Sequence, residues 1–268
     1  MSVGNYNKTV GSDNPSMFVI LLDQSGSMVE DFAGSDKMTR AAQAVNRVIA
    51  ELGRASLKES EHSPRCRIEV IGYGNESAES IVSGMITDVM AHPTELVSEE
   101  VVDSKGGLTE MKSGIWVKPK ANGGTPMTYA YERAAEKVSA WIQDHPDCFP
   151  PVVINITDGE PNRPESAKAA ANRLMELASS DGQVLLMNAH IQETPADSIL
   201  VPVSLPESIS PSAKFLFDIS SEIPDNLLAN AISSGLPAGK GSRAFLYRAN
   251  AEALIKLINF GSSMGFKR

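Results

Sequence analysis

Cysteine is scarce in this chain: two residues in 268, Cys66 and Cys148. Two isolated thiols make no disulfide framework. Cys66 lies in the strand-like run Cys66-Arg67-Ile68-Glu69-Val70-Ile71 and reads as a small core residue, and Cys148 precedes the turn Phe149-Pro150-Pro151. Histidine is nearly as rare. His62, His92, His145 and His190 are spread singly, with no H-E-x-x-H and no Cys/His cluster, which argues against zinc. The surroundings of Ser25 lack G-x-S-x-G and no histidine has a context that marks it as a base, which argues against Ser25 as a nucleophile. The string Gly235-Leu236-Pro237-Ala238-Gly239-Lys240-Gly241-Ser242 fails as a phosphate loop, because three residues separate its first glycines and Gly241 follows the lysine. It reads as a surface loop.

Long apolar runs are absent too. No stretch of about 18 apolar residues occurs, so no membrane span is expected. Residues 1–16 are polar and lack the apolar segment of a signal peptide. They read as a disordered or extended segment ahead of one domain over 17–268, and a cytoplasmic location is the expectation. Positive charge is in deficit: 24 Lys and Arg face 33 Asp and Glu, a net charge of −9. That balance disfavours nucleic acid and anionic lipid as partners and leaves a basic or mixed protein partner open. Asp218, Glu222 and Asp225 read as a solvated acidic face. Hydrophobic residues make up 42%, enough for one sizeable core, and neither a linker nor an internal repeat divides the chain.

Strand and helix signals alternate along most of the length. Met17–Leu22, Arg67–Ile71, Val152–Ile156 and Val184–Ile191 read as buried strands, and Ser80–Met90 as a further, antiparallel edge strand. Apolar residues at helical spacing predict helices over Lys37–Leu52, stopped by Gly53, from Thr125 through Ile142, and from Pro164 through Leu177. Shorter helices are expected at Ala213–Ser220 and Asp225–Ser233, with a last one capped by Asn250. Residues 95–120 read as an elaboration with a strand-like Ile115-Trp116-Val117. The alternation predicts an α/β fold: a doubly wound, mostly parallel sheet with helices on both faces, in a single domain.

Three separated segments carry a common chemistry. Asp23-Gln24-Ser25-Gly26-Ser27 follows the first strand, Thr125 lies in Gly123-Gly124-Thr125-Pro126-Met127-Thr128, and Asp158 follows the strand ending Ile156-Thr157. All the candidate ligands are hard oxygens, which suit a magnesium-type cation. Two of the segments sit where a buried strand emerges, the place where open parallel sheets hold ligands.

Asp23, Ser25 and Ser27 match the D-x-S-x-S motif of von Willebrand factor type A domains, and Thr125 and Asp158 match its two remaining positions. The order and the separations fit as well: 125 − 23 = 102 residues, then 158 − 125 = 33. The chain resembles that family from about Phe18 to at least Ile191. The resemblance implies a doubly wound fold and a magnesium ion, with manganese or calcium as substitutes, held directly by Ser25 and Ser27. It further implies that Thr125 joins when a partner binds, and that Asp23 and Asp158 act largely through water. The open coordination position would then take an Asp or Glu carboxylate from a protein partner. Gly26, Gly124 and Gly159 are expected to let the backbone turn around the ion. Asp23 is expected at the solvent-exposed end of the sheet, needed for metal and dispensable for folding.

Gly123–Met127 and Ile156–Glu160 further resemble bacterial stand-alone members of the family. Some of those serve stress-response systems, including tellurium resistance, with kinase and phosphatase partners, and others are adaptors for chaperone-like ATPases. The expectation is a binding module without chemistry of its own. A magnesium-dependent hydrolase and a structural subunit whose ion staples three loops remain alternatives.

Overall fold

The computed structural model describes residues 4–11, 14–32, 34–58, 66–102, 108–192 and 198–263. Residues 4–11 form no regular element. They are bound to the body through Asp181, whose carboxylate accepts from Asn7 N and Lys8 N at 3.0 Å each, and Val10 is buried.

In chain order the strands are β1 (Ser16–Asp23), β2 (Asp31–Phe32), β3 (Ser35–Asp36), β4 (Cys66–Gly74), β5 (Ser77–Met85), β6 (Glu95–Val102), β7 (Leu108–Ile115), β8 (Val152–Thr157), β9 (Ala178–Ser179), β10 (Gly182–Gln183), β11 (Leu185–Ile191), β12 (Ile199–Leu200) and β13 (Phe245–Ala249). The helices are α1 (Lys37–Lys58), α2 (Ile86–Ala91), α3 (Met127–Asp144), α4 (Pro164–Glu176), α5 (Pro211–Asp218), α6 (Leu228–Ser233) and α7 (Ala251–Ser263).

One sheet organises the molecule, in the order β12-β13-β11-β8-β1-β4-β5. The five inner strands run parallel, and β5 and β12 close the two edges antiparallel. This is a doubly wound α/β fold with a mostly parallel sheet. Every residue of β1, β8 and β11 is buried, as strands covered on both faces must be. Alternation along β1 divides the core. Phe18, Ile20 and Leu22 pack with Val45, Val48 and Ile49 of α1 and Leu254, Leu257 and Ile258 of α7. Met17, Val19 and Leu21 face the other way, toward Ala130, Ala134 and Val138 of α3 and Ala167, Ala171 and Leu174 of α4.

The strand order also fixes where a ligand can sit. From β1 the chain moves outward to β4, and its next inner strand, β8, returns to the opposite side of β1. The loops leaving the C-terminal ends of β1 and β8 therefore part, and a crevice opens between them. Asp23 ends β1 and Asp158 follows β8, so both stand at this switch point.

The second core layer contains a polar chain that apolar patterning would not suggest. Asn155 of β8 and Asn188 of β11 lie side by side in register, fully buried. Tyr73 Oη donates to Asn155 Oδ1 at 2.7 Å, and Asn155 Nδ2 donates to Tyr131 Oη at 3.1 Å and to Asn188 Oδ1 at 3.0 Å. Asn188 Nδ2 continues to Ser220 Oγ at 3.0 Å.

Several sequence expectations need correction. Gly53 does not stop α1, which runs on to Lys58. A Cβ at Gly53 would collide with the Met90 side chain, so this glycine makes room for α2 against α1. The segment Ser80–Met90 is not one strand: β5 ends at Met85 and α2 begins at Ile86. Within the 95–120 elaboration β6 and β7 pair antiparallel, and Trp116 and Val117 are buried beyond β7. Asn46 of α1 anchors that end, accepting from Trp116 N and Val117 N at 2.9 Å each. Strand β13 was not anticipated at all. Asn250 does cap α7, its Oδ1 accepting from Ala253 N at 2.8 Å.

Candidate functional site

The loop after β1 is shaped by the side chain that ends the strand. Asp23 Oδ1 accepts from Ser25 N at 2.8 Å, and Oδ2 accepts from Thr157 Oγ1 at 2.5 Å. An aspartate that binds the backbone two residues on makes a tight local turn. That turn brings Ser25 Oγ and Ser27 Oγ to 3.2 Å from each other, and Ser27 Oγ donates to Asp158 Oδ1 at 2.7 Å.

A second loop is laid against the first through main-chain bonds. Asn122 N donates to Gln24 O at 2.6 Å and Gly26 N to Gly123 O at 2.8 Å. Gly123 has φ +70, and a Cβ there would meet Asn75 Cα at 2.7 Å, so both conformation and space require glycine. Thr125 follows, its N–H donating to Asn162 Oδ1 at 2.9 Å, while Asn162 Nδ2 donates to Glu76 Oε1 at 2.8 Å. The third loop completes the enclosure. A Cβ built on Gly159 would lie 3.5 Å from Thr125 Oγ1 and 3.9 Å from Ser27 Oγ.

The structure thus gathers all five sequence candidates, Asp23, Ser25, Ser27, Thr125 and Asp158, in one place. Of the three expected turn glycines, Gly26, Gly124 and Gly159, none has a positive φ; the residue that needs one is Gly123. Asp23 is also not at an exposed edge. It is fully buried, and both its oxygens are engaged in holding the turn. Its carboxylate is part of the local architecture as well as of the candidate site.

Four further residues belong to this region. Lys37, the first residue of α1, donates to Asp158 Oδ2 at 2.7 Å and to Glu30 Oε2 at 2.5 Å. Asn162 and Glu76 brace Thr125 as described. The one available sequence signal was Lys37 itself, because a cation in the first turn of a helix opposes the helix dipole and needs a reason to be there. His190, at the end of β11, is buried with Nδ1 unpartnered among the described residues.

The electrostatics are uneven. Burial pushes the Asp23 carboxyl up to about 6, against the pull of hydrogen bonds from Ser25 and Thr157 and with the help of the Asp158 charge. For Lys37, burial lowers the pKa, but the bonds to Asp158 and Glu30 outweigh it and the net direction is upward. Burial lowers His190 to about 4 although the Asp158 charge pulls the other way, so its ring is neutral at neutral pH.

A carboxyl raised from 3.8 to about 6 favours the folded state while protonated. Its contribution is fully present below about pH 4 and is lost as pH rises through 6, a difference of about 3 kcal/mol. Asp23→Asn removes the titration and keeps an oxygen for Ser25 N. In chelator, the stability of wild type relative to Asp23→Asn should fall between pH 4 and pH 7, as paired urea titrations would show. A constant difference across that range would contradict the burial of an uncompensated carboxylate.

These donors fit a hard divalent cation. No group of three or more His, Cys, Asp or Glu side chains comes together among the described residues, and the site offers three hydroxyls beside two carboxylates instead. Oxygen-only donors suit magnesium or manganese. Asp23, whose negative charge burial penalises and which no cation among the described residues meets at hydrogen-bond distance, is the kind of group such an ion relieves.

No protein-family model and no curated protein sequence matches the chain. Solved structures do. The pilus adhesin SpaC from Lactobacillus rhamnosus GG is 12% identical with a TM-score of 0.46, over 69% of this chain and 25% of that one. Manganese-loaded TRAP protein from Plasmodium vivax is 16% identical with a TM-score of 0.36, over 66% and 57%. The vWF domain of the type V pili tip protein Mfa5 from Porphyromonas gingivalis is 14% identical with a TM-score of 0.32, over 57% and 39%. In each case the match spans less than two thirds of that protein's own length.

Proposed function

We propose that this chain is a metal-dependent protein-interaction module of the von Willebrand factor type A kind. In this reading Ser25, Ser27 and Thr125 hold a magnesium-type ion, and a partner's Asp or Glu completes its coordination. The observation that carries it is the convergence of three hydroxyls from two loops, with the Asp158 carboxylate of a third, at the switch point of the sheet. The bound ion supplies an electrophile. The protein's own part is positional: Asp23 fixes the Ser25–Ser27 turn, Asn162 holds the Thr125 backbone, and Asp158 orients the Ser27 hydroxyl.

Hydroxyl donors transfer little charge to an ion, so it keeps an appetite for a carboxylate. The non-catalytic reading draws support from the surroundings of Ser25. Its hydroxyl lies against that of Ser27, and among the described residues no histidine contacts it. Among the described residues no helix is long and apolar enough to cross a membrane. We place the protein in the cytoplasm, in a bacterial stress-response or signalling system of the tellurium-resistance type, with kinase, phosphatase or ATPase partners. That placement rests on the segments Gly123–Met127 and Ile156–Glu160.

The test is melting with magnesium, manganese or calcium against chelator. A ligand that binds only the native state adds about 2.7 kcal/mol at a hundredfold excess over Kd. An upward shift of several degrees is expected in wild type and is absent in Ser25→Ala. Coincident curves in metal and chelator would remove the reading. Affinity capture in magnesium and in chelator, read by mass spectrometry, then tests the partner: a protein retained equally in both would place the interface elsewhere, with the acidic face at Asp218, Glu222 and Asp225 as the next surface to examine.

A further inference from the structure

We propose that Lys37 is a built-in counter-ion that weakens this site's hold on a divalent cation and strengthens that cation's attraction for an anionic ligand. The proposal rests on the metal-site reading above. Lys37 is placed where a lysine is unfavourable twice over. It begins α1, at the positive end of the helix dipole, and its side chain is only 6% exposed. A buried ammonium persists where its partners are fixed. The partner here is Asp158, itself 1% exposed, at 2.7 Å; the other, Glu30, is 66% exposed and largely screened by water.

The two oxygens of Asp158 are thereby divided. Oδ1 accepts from Ser27 and so faces the three hydroxyls, while Oδ2 is held by Lys37. Asp23, Asp158 and Lys37 together carry one negative charge. A divalent cation among them leaves one positive charge over, which a single carboxylate cancels. Without the ammonium the same ion would be neutralised by the protein alone. Lys37 therefore has effects of opposite sign on two equilibria, and a merely structural lysine would not. At separations of several ångströms and an effective dielectric constant of about 20, each effect is on the order of tenfold or more.

Manganese can be titrated into wild type, Lys37→Met, Lys37→Gln and Lys37→Arg and read by electron paramagnetic resonance. Acetate is then added to each loaded protein and followed through the relaxation of its methyl protons. Lys37→Met should bind manganese at least tenfold more tightly and acetate more weakly, while Lys37→Arg stays close to wild type. Lys37→Gln keeps a donor for Asp158 and carries the test if the methionine variant does not fold. Manganese binding that is equal or weaker in the neutral variants, or an arginine variant that behaves like methionine, overturns the role of Lys37. Failure of every variant and of wild type to bind manganese overturns the metal-site reading along with it.

Discussion

Gly159→Ala is expected to melt no lower than wild type in chelator and to lose most of the stabilisation that magnesium or manganese confers. Among the described residues, only Thr125 Oγ1 at 3.5 Å and Ser27 Oγ at 3.9 Å lie within 4 Å of the added methyl, apart from its chain neighbours. Both are ordinary contacts, and the backbone there has no positive φ, so nothing has to move. Replacing glycine by alanine under those conditions raises stability by about 0.4–1 kcal/mol, through the unfolded chain. The same methyl, however, stands between two of the three hydroxyls. It should cost about 2.7 kcal/mol of metal-linked stability at an ion concentration a hundredfold above the wild-type Kd. Differential scanning calorimetry in chelator and in manganese separates the two effects. A variant that keeps the full manganese shift would show that the ion does not sit among these hydroxyls.

Asn155→Leu should lower stability, and by the same amount with or without metal. The leucine is close in size, but it removes the acceptor of Tyr73 Oη inside the second core layer, while Tyr131 Oη and Asn188 Oδ1 each lose one bond and keep the one at 3.2 Å between them. A buried polar group left without its partner costs about 1–3 kcal/mol, and Tyr73 Oη is such a group here. In a domain of this size each kcal/mol lowers Tm by roughly 2–4 °C, and a drop of about 5 °C follows. The double variant Asn155→Leu/Asn188→Leu should cost less than the sum of the two single changes, because they share partners. Strict additivity in urea denaturation would mean that the two asparagines do not act as one network.

Much of this was legible in the sequence because the same residues serve pattern and chemistry. The apolar runs Met17–Leu22 and Val152–Ile156 are fully buried strands, and the segments that follow them had to emerge at the carboxyl edge of the sheet. The features that stayed hidden depend on long-range contacts. Gly53 reads as a stop signal by itself and becomes a packing residue only when Met90 arrives beside it. The run Phe245–Ala249 is five residues long, and its identity as an inner strand comes from pairing with β11. The burial of Asp23 depends on Thr157, 134 residues away, and the pairing of Lys37 with Asp158 spans 121. No periodicity reports such pairs. Asn155 was visible as a polar residue inside an apolar run, but its partners were not.

The central claim, that Ser25, Ser27 and Thr125 converge to hold a divalent cation, is tested most directly by a crystal structure of the wild-type protein grown in manganese and measured at the manganese absorption edge. A single anomalous peak is expected at the carboxyl end of β1 and β8, bounded by the hydroxyls of Ser25, Ser27 and Thr125, with Asp23 and Asp158 behind them and Lys37 still on the outer oxygen of Asp158. No peak there at saturating manganese, or a peak elsewhere on the molecule, would contradict it.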